Sequence, residues 1–273
     1  MLDLITSRSN EMIKSAARLS SSADYRREQG LFMVEGARLC SDAAQSGVTI
    51  KQLFYTAQAD EKYSDYLDLI QPNAEQYYGI EPHIAALLAD TKTPQGIFCV
   101  CEMQECAQGL THMEKASHYL ALENIQDPAN LGAVLRTAEA LGVGGVILAG
   151  SCCDVYSPKV LRASMGAVFR LPFFIVDNMS DAVKKLNEQE FVTLAAVPSE
   201  EAQKITEIQF LRPTVIVVGN EGSGLTKEAI SACSQSVTIP MLGRAESLNA
   251  SASAAILMWE MMRSKFGGSS NEA

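Results

Sequence analysis

The strongest limit on the folds open to this chain lies in its second half, where short continuous apolar runs alternate with amphipathic helical stretches. YLALENI (119–125), GVIL (145–148), FFIV (173–176), FVTLAAV (191–197) and TVIVVG (214–219) lack the polar–apolar alternation of a half-exposed strand. Strands of this kind are buried on both faces, as in parallel sheets covered by helices. Between them NLGAVLRTAEALG (130–142) reads as a helix ended by Gly142. SPKVLRASMGAVF (157–169) reads as a helix opened by Ser157 with Pro158 in its first turn, and SLNASASAAILMWEMMRSKF (247–266) as a long closing helix. The expected class is α/β with a parallel sheet.

The first part carries its own alternation. Asn10 precedes a helical stretch that sets Met12, Ile13, Ala16, Ala17 and Leu19 on one face; LFMVEG (31–36), IKQLFYT (50–56) and GIFCVCEM (96–103) read as strands, and ARLCSDAAQSG (37–47) as a helix. Residues 104–117 have no clean period. The expected organisation is a first domain over 1–105, a linker over 106–118 and a second domain over 119–273, with GGSSNEA as a frayed terminus. At 47% hydrophobic and 20% charged the composition excludes a disordered chain, and no apolar run approaches the ~20 residues of a membrane span. MLDLITSRSNEM lacks the apolar core of a secretory signal, so the expectation is a cytoplasmic protein.

Residue types exclude several chemistries. Seven cysteines form no CxxC pair, so buried thiols are expected, without a disulfide framework or zinc site. None of His83, His112 and His118 sits in a Gly-rich or acidic segment, which argues against a histidine triad or a metal. The net charge of −10 argues against nucleic acid at first, since phosphate binding rests on Lys and Arg. The charge is uneven, however: residues 41–120 carry −7, residues 1–40 carry +1, and Val155 to Val176 holds Lys159, Arg162 and Arg170 with no acid. Local anion patches on an acidic body fit this pattern.

Three segments look chemical. VIVVGNEGSGLTK (215–227) runs a strand into Gly219, Gly222 and Gly224. Gly219 and Gly224 have P-loop spacing, but Leu225 and Thr226 stand where Lys and Ser/Thr are required, which disfavours a triphosphatase. Glu221 in that loop would repel a triphosphate but can accept from an N–H; a purely structural turn stays open. LENIQDPANLGAVLRTAEALG (122–142) offers Asn130, a candidate cap, and Arg136, which is costly to bury without an anion and is otherwise a surface residue. TIPMLGRAESLNASAS (238–253) sets Ser247 and Asn249 at the start of the last helix, where either could bind phosphate or ribose oxygens or simply cap. LGVGG (141–145) lacks the third glycine of a dinucleotide fingerprint and precedes its strand, which disfavours a Rossmann oxidoreductase.

Taken in order, NIQDPANLGAVLRTAEALG, VVGNEGSGL and IPMLGRAESLNASASAA resemble the three motifs of the SpoU (TrmH-like) RNA 2′-O-ribose methyltransferases of the SPOUT superfamily, over about Tyr119 to Phe266. FMVEGARL (32–39) and TPQGIFCV (93–100) resemble that family's substrate-binding domain, a small α/β module similar to ribosomal RNA-binding proteins. The resemblance implies a C-terminal domain with a deep trefoil knot and a homodimer contact through the last helix. It implies S-adenosylmethionine held at Gly219, Ile239 and Leu248 with Met241 and Gly243 nearby, no metal, and catalytic or substrate-binding roles for Asn130, Arg136, Glu221, Ser247 and Asn249. Ala250 and Ser253 depart from the valine and alanine usual after SLN. The implied activity is methyl transfer to a ribose 2′-hydroxyl of RNA, ribosomal by analogy with the first module. A transfer RNA enzyme and a non-catalytic RNA-binding protein of the same fold are the alternatives.

Overall fold

The computed structural model describes residues 3–104 and 110–266; residue 105 of the expected first domain, residues 106–109 of the expected linker and the 267–273 tail lie outside the described residues. In chain order the elements are β1 (Leu4–Ile5), α1 (Glu11–Ser21), α2 (Ala23–Gln29), β2 (Leu31–Glu35), α3 (Ala37–Gln45), β3 (Ile50–Tyr55), α4 (Ala57–Lys62), α5 (Ser64–Ile70), β4 (Ala74–Ile80), α6 (Pro82–Leu88) and β5 (Ile97–Glu102). There follow β6 (Tyr119–Glu123), α7 (Pro128–Ala140), β7 (Val146–Ala149), α8 (Pro158–Ser164), β8 (Phe173–Val176), α9 (Met179–Glu188), β9 (Val192–Ala196), β10 (Gln203–Lys204), β11 (Thr214–Val218), α10 (Lys227–Ala232), β12 (Gln235–Thr238) and α11 (Ala250–Met262). These form two compact units. Residues 1–104 with 154–170 make one, and residues 105–153 with 171–273 the other.

The first unit is built on a mixed sheet of order β1-β4-β3-β5-β2. Asn10 caps α1, accepting from the Met12 N–H at 2.9 Å, and Ile13, Ala16 and Leu19 turn inward onto Met33, Phe54, Phe98 and Val100. Segment 154–170 belongs here through side chains. The Phe32 and Tyr156 rings lie 4.4 Å apart, Gln104 donates to the Phe169 carbonyl at 3.0 Å, and buried Arg26 pairs with Asp154 at 2.6 Å. A segment from the second half of the chain therefore completes the core of the first unit. Within it, the expected helix over 157–169 ends at Ser164. Met165 and Gly166 turn left-handed at φ 50° and 82°, where a Cβ on Gly166 would meet the Asp42 carboxylate at 2.9 Å.

The second unit is the parallel sheet that the apolar runs predict. Its order is β10-β12-β9-β11-β6-β7-β8, and the pairings are parallel throughout the described strands. The chain steps outward from β6 through β7 to β8, then returns to the other side of β6, so β6 and β11 flank the point where the winding reverses. Ligands in open α/β sheets bind beyond the carboxyl ends of strands at such a point. On one face Tyr119, Ala121, Val215 and Val217 pack with Met179, Val183 and Leu186 of α9 and Ala229 of α10. On the other, α7 and α11 pack together and α11 packs on β11. Leu110 and Met113, in the expected linker, are buried in this unit's core.

The thiol expectation holds for Cys40, Cys99 and Cys101, which are buried; Cys152, Cys153 and Cys233 are half-buried, and Cys106 lies outside the described residues. Burial pushes the Cys233 thiol up to about 12. No disulfide and no metal-binding cluster occurs among the described residues, and no described helix is long and apolar enough to cross a membrane.

His118, at the foot of β6, is 7% exposed and accepts the Thr214 N–H on Nδ1 at 3.2 Å. Burial and, less strongly, the Lys265 ammonium hold its pKa below the ordinary 6.5. Above that value both folded and unfolded chains carry a neutral ring. Below it the unfolded chain takes a proton first, so stability should fall with acid until the folded-state pKa is passed. Urea melts from pH 8 to 5 should show this slope in the wild type and a weaker one in His118→Gln, which keeps an acceptor without the titration.

Candidate active site

The carboxyl ends of β9, β11 and β12 open into a cavity of about 490 Å³ in the second unit. Three loops and the start of α11 wall it: Ala196–Pro198 after β9, Val218–Leu225 after β11, and the stretch from Thr238 through Met241 to Leu248. The lining is mixed. Val197, Ile239 and Leu257 present apolar surface, while Glu221, Ser223 and Ser247 and the glycine backbone bring polar groups. A volume in the ~300–1,000 Å³ range with few convergent polar groups suits an organic ligand of cofactor size.

The Val218–Leu225 loop is tight because its backbone turns against itself. Asn220 and Gly224 form an isolated antiparallel bridge, with the Gly224 N–H on the Asn220 carbonyl at 2.8 Å. The Asn220 Oδ1 accepts from the Gly222 and Ser223 N–H groups at 2.7 and 3.3 Å, an Asx turn. Gly219 has no room for a side chain: a Cβ there would collide with the Gly224 carbonyl and the Leu225 nitrogen. Gly224 takes φ 67°.

Eight of the ten expected site residues fall into one chain of contacts or onto the cavity wall. The Asn130 side-chain N–H donates to the Glu221 carboxylate, and the Asn249 side-chain N–H donates to the Asn130 oxygen at 3.1 Å. Glu221 and Ser247 line the cavity. Of the expected cofactor residues, Gly219, Ile239, Met241 and Leu248 line it, while Gly243 stands exposed in the loop and does not. Arg136 is also outside the lining. It is exposed on α7 with no hydrogen bond or ion pair to the described residues.

One cap expectation changes and another is met. Asp127, not Asn130, caps α7, accepting from the Ala129 N–H at 2.8 Å with Pro128 in the first turn, and so Asn130 is left free to bridge the other segments. The closing helix begins at Ala250 because Asn249 is its cap, accepting from the Ser251 and Ala252 N–H groups at 2.9 and 3.3 Å. Ser247 and Leu248 thereby stay in loop conformation on the cavity wall. Ala250 and Ser253, the departures after SLN, line the cavity as well. Sequence reasoning missed Val197 and Pro198, whose only signal is the proline that stops strand β9, and Asn220, whose signal is the Asn-x-Gly-Ser turn pattern.

Comparison with known proteins decides the family. The SpoU rRNA Methylase family model matches residues 117–259, and the MRM3-like substrate binding domain model matches residues 10–99. The chain belongs to the SpoU rRNA methylase family. An uncharacterized tRNA/rRNA methyltransferase of Synechocystis sp. is 31% identical over 97% of this chain and 95% of its own length. The 23S rRNA (guanosine(2553)-2′-O)-methyltransferase RlmP of Bacillus subtilis is 28% identical over 94% of this chain and 98% of its own. Among solved structures, the SpoU methyltransferase AviRb of Streptomyces viridochromogenes in complex with AdoMet superposes with a TM-score of 0.84 at 26% identity, covering 95% of this chain and all of that one. The α/β fold with a parallel sheet is thus the fold of SpoU methyltransferases, and this chain is a methyltransferase.

The loop of this SpoU methylase should distinguish its glycines. Gly219→Ala forces the Cβ into backbone and is expected to cost about 1–3 kcal/mol of stability, as overpacking does. Gly222→Ala meets only the Asn220 side-chain oxygen at 3.4 Å and should stay within about 0.5 kcal/mol. Urea melts of the two variants test this; equal costs would contradict the geometry.

Proposed function

We propose that this chain transfers a methyl group from S-adenosylmethionine to a ribose 2′-hydroxyl of ribosomal RNA. One observation carries the proposal: Asn130, Glu221 and Asn249, from three distant segments, form a single hydrogen-bonded chain at the cavity that Gly219, Ile239, Met241 and Leu248 line. The cavity fits the cofactor, since a glycine backbone cradle that excludes a Cβ leaves room for close approach and the apolar wall suits a base. When bound, S-adenosylmethionine supplies an electrophilic methyl group on its sulfonium. The match to the SpoU family and the likeness to solved SpoU methyltransferases support the knotted passage of chain that the family resemblance implies.

This chain's residues then do three things. Gly219, Ile239, Met241 and Leu248 hold the cofactor, with Gly243 shaping the loop behind them. Glu221, fixed by Asn130, and Ser247 and Asn249 orient the ribose; alignment of reacting centres alone can be worth ~7–11 kcal/mol. Arg136 holds the neighbouring phosphate and steadies the charge that develops on the 2′-oxygen. A guanidinium stays protonated in proteins, so the 2′-hydroxyl proton passes to the phosphate or to water and not to Arg136. No metal is required.

Residues 1–105 act as the RNA-binding domain, 106–118 as linker and 119–273 as catalytic domain, with 154–170 packed into the first. The substrate-binding-domain match over 10–99 supports this, and the ribosomal RNA targets named for relatives support the choice of RNA and a cytoplasmic site of action. The chain acts as a homodimer. Along α11, Ile256 is 39% and Trp259 49% exposed, and Trp259 stacks on exposed Phe266 with ring centres 5.7 Å apart. Such a stripe on a helix whose other face is core favours burial against a second copy, in a contact of order ~1,600 Å².

Two measurements test this. Single-turnover transfer of labelled methyl to ribosomal RNA should be seen with the wild type and fall ~10²–10³-fold in Arg136→Ala, as on loss of an oxyanion donor. Arg136→Lys should stay impaired because it loses the planar fork. No transfer by the wild type, or a wild-type rate in Arg136→Ala, would overturn the function or the role of Arg136 respectively. Sedimentation should give a dimer for the wild type and a monomer for Ile256→Arg; a wild-type monomer mass rules the dimer out.

A further inference from the structure

Beside the cofactor cavity sits a buried carboxylate that the chemistry above does not use. Glu123, the last residue of β6, is 5% exposed, and no cation pairs with it among the described residues. Both of its oxygens are nonetheless occupied: Oε2 accepts the Thr226 backbone N–H at 2.8 Å and Oε1 accepts the Thr226 hydroxyl at 2.9 Å. A carboxylate out of water without a counter-charge is costly, so such a group persists where its hydrogen bonds do something a neutral side chain cannot. The next residue, Asn124, is left-handed at φ 58°, and its carbonyl accepts the Asn220 side-chain N–H at 2.9 Å. Adjacent residues at the end of β6 thus grip Asn220 and Thr226, the two ends of the Gly219–Leu225 loop. Glu221 lies between those grips.

The register explains why this is possible. Leu122 pairs with Val218, so Glu123 and Asn124 continue beside the loop that leaves β11. Thr226 is shared: while its hydroxyl donates to Glu123, the same oxygen accepts the Ala229 N–H at 3.2 Å and caps α10. We infer that Glu123 is a positioning residue, and that its two-pronged grip on Thr226 holds the Gly219–Leu225 loop, and Glu221 within it, in the conformation that binds S-adenosylmethionine. This rests on the cofactor assignment made above. The carboxylate takes each Thr226 donor on its own oxygen, with the full charge behind both bonds. A glutamine could accept the Thr226 N–H on its one oxygen, but its N–H₂ would have to use the Thr226 hydroxyl as acceptor, so both charge-assisted bonds to the carboxylate are lost.

The test uses the full-length protein with Glu123→Gln, Thr226→Val, the double variant and Thr226→Ser, read by calorimetric titration with S-adenosylmethionine and by amide hydrogen exchange without it. Glu123→Gln and Thr226→Val are each expected to raise the cofactor Kd about tenfold or more, as loss of a charge-assisted hydrogen bond would. The double variant should be no worse than the weaker single, because both act through one contact. Thr226→Ser, which keeps both donors, should retain the wild-type Kd. Exchange should quicken at residues 221–225 of Glu123→Gln and stay unchanged along β6 and β11. Wild-type Kd and loop exchange in Glu123→Gln would overturn the inference, and so would a uniform rise in exchange with Kd unchanged, which marks a merely structural role. If Glu123→Gln does not fold, the contrast between Thr226→Val and Thr226→Ser decides. If the wild type itself binds no S-adenosylmethionine, the cofactor assignment fails, while loop exchange still judges the grip.

Discussion

The side-chain amide of Asn130 is the contact on which the site depends. It gives its N–H to Glu221, 91 residues away, and takes one from Asn249, 119 residues away. An amide is one of few side chains able to donate and accept in the same plane, and an aspartate or leucine of similar size could serve only one neighbour or neither. Through it the helix after β6, the loop after β11 and the cap of α11 become one polar surface. Each of these is anchored by other means: α7 by Asp127, the loop by its Asx turn, α11 by the second role of Asn249. Asn130 therefore joins parts that are already rigid.

That rigidity comes from the sheet. Parallel pairing of β6 with β11 from Val215↔Tyr119 to Val218↔Leu122 fixes which residues emerge together beyond the strands' carboxyl ends. A one-residue slip would turn the buried set of β11 to the opposite face and move Gly219 away from Glu123. Because Leu120, Ala121, Ile216 and Val217 are fully buried on both faces of the sheet, such a slip would put side chains of the wrong size against each covering layer and carry the cost of mispacking on both. Core burial thus sets the precision of a site that touches the core only at its rim.

Much of this was legible in the sequence, and the reasons are local. Continuous apolar runs predicted the buried parallel strands because both faces of that sheet are covered. Cap residues next to helical periods predicted α1, and glycines clustered after a strand predicted the tight loop of Gly219 to Gly224. What escaped depended on distance. Nothing local in DVYSPKVLRASMGAVF says that its Asp154 pairs with Arg26 or that Tyr156 and Phe169 pack on Phe32 of the first unit, because neither an acid nor an apolar ring specifies its partner. Glu123 in YLALENI reads as a polar strand end. Only the pairing with a loop 103 residues later turns it into a buried acceptor of two bonds.

Arg136 occupies a different position in this design. Six residues on from Asn130, it is rotated about 240° around α7 and displaced ~9 Å along it. The two side chains therefore face different directions, and no fixed polar partner among the described residues holds Arg136 toward the cavity. An uncommitted guanidinium outside the cavity lining is suited to a diffuse anion that arrives from solvent, such as the phosphate flanking a ribose in the function proposed above. A base poised over the cofactor would instead need a fixed direction and an acceptor lone pair, and Arg136 has neither. The division follows from chemistry as well as placement. Neutral amides and a carboxylate can orient a hydroxyl at close range without binding the phosphate of every nucleotide, while a cation outside the cavity lining, in the role proposed above, would meet the backbone of a ribose already seated. On a body with net charge −10 a single exposed cation attracts RNA weakly by itself, so the role proposed for Arg136 requires the RNA to be held first by other contacts, with recognition ahead of chemistry.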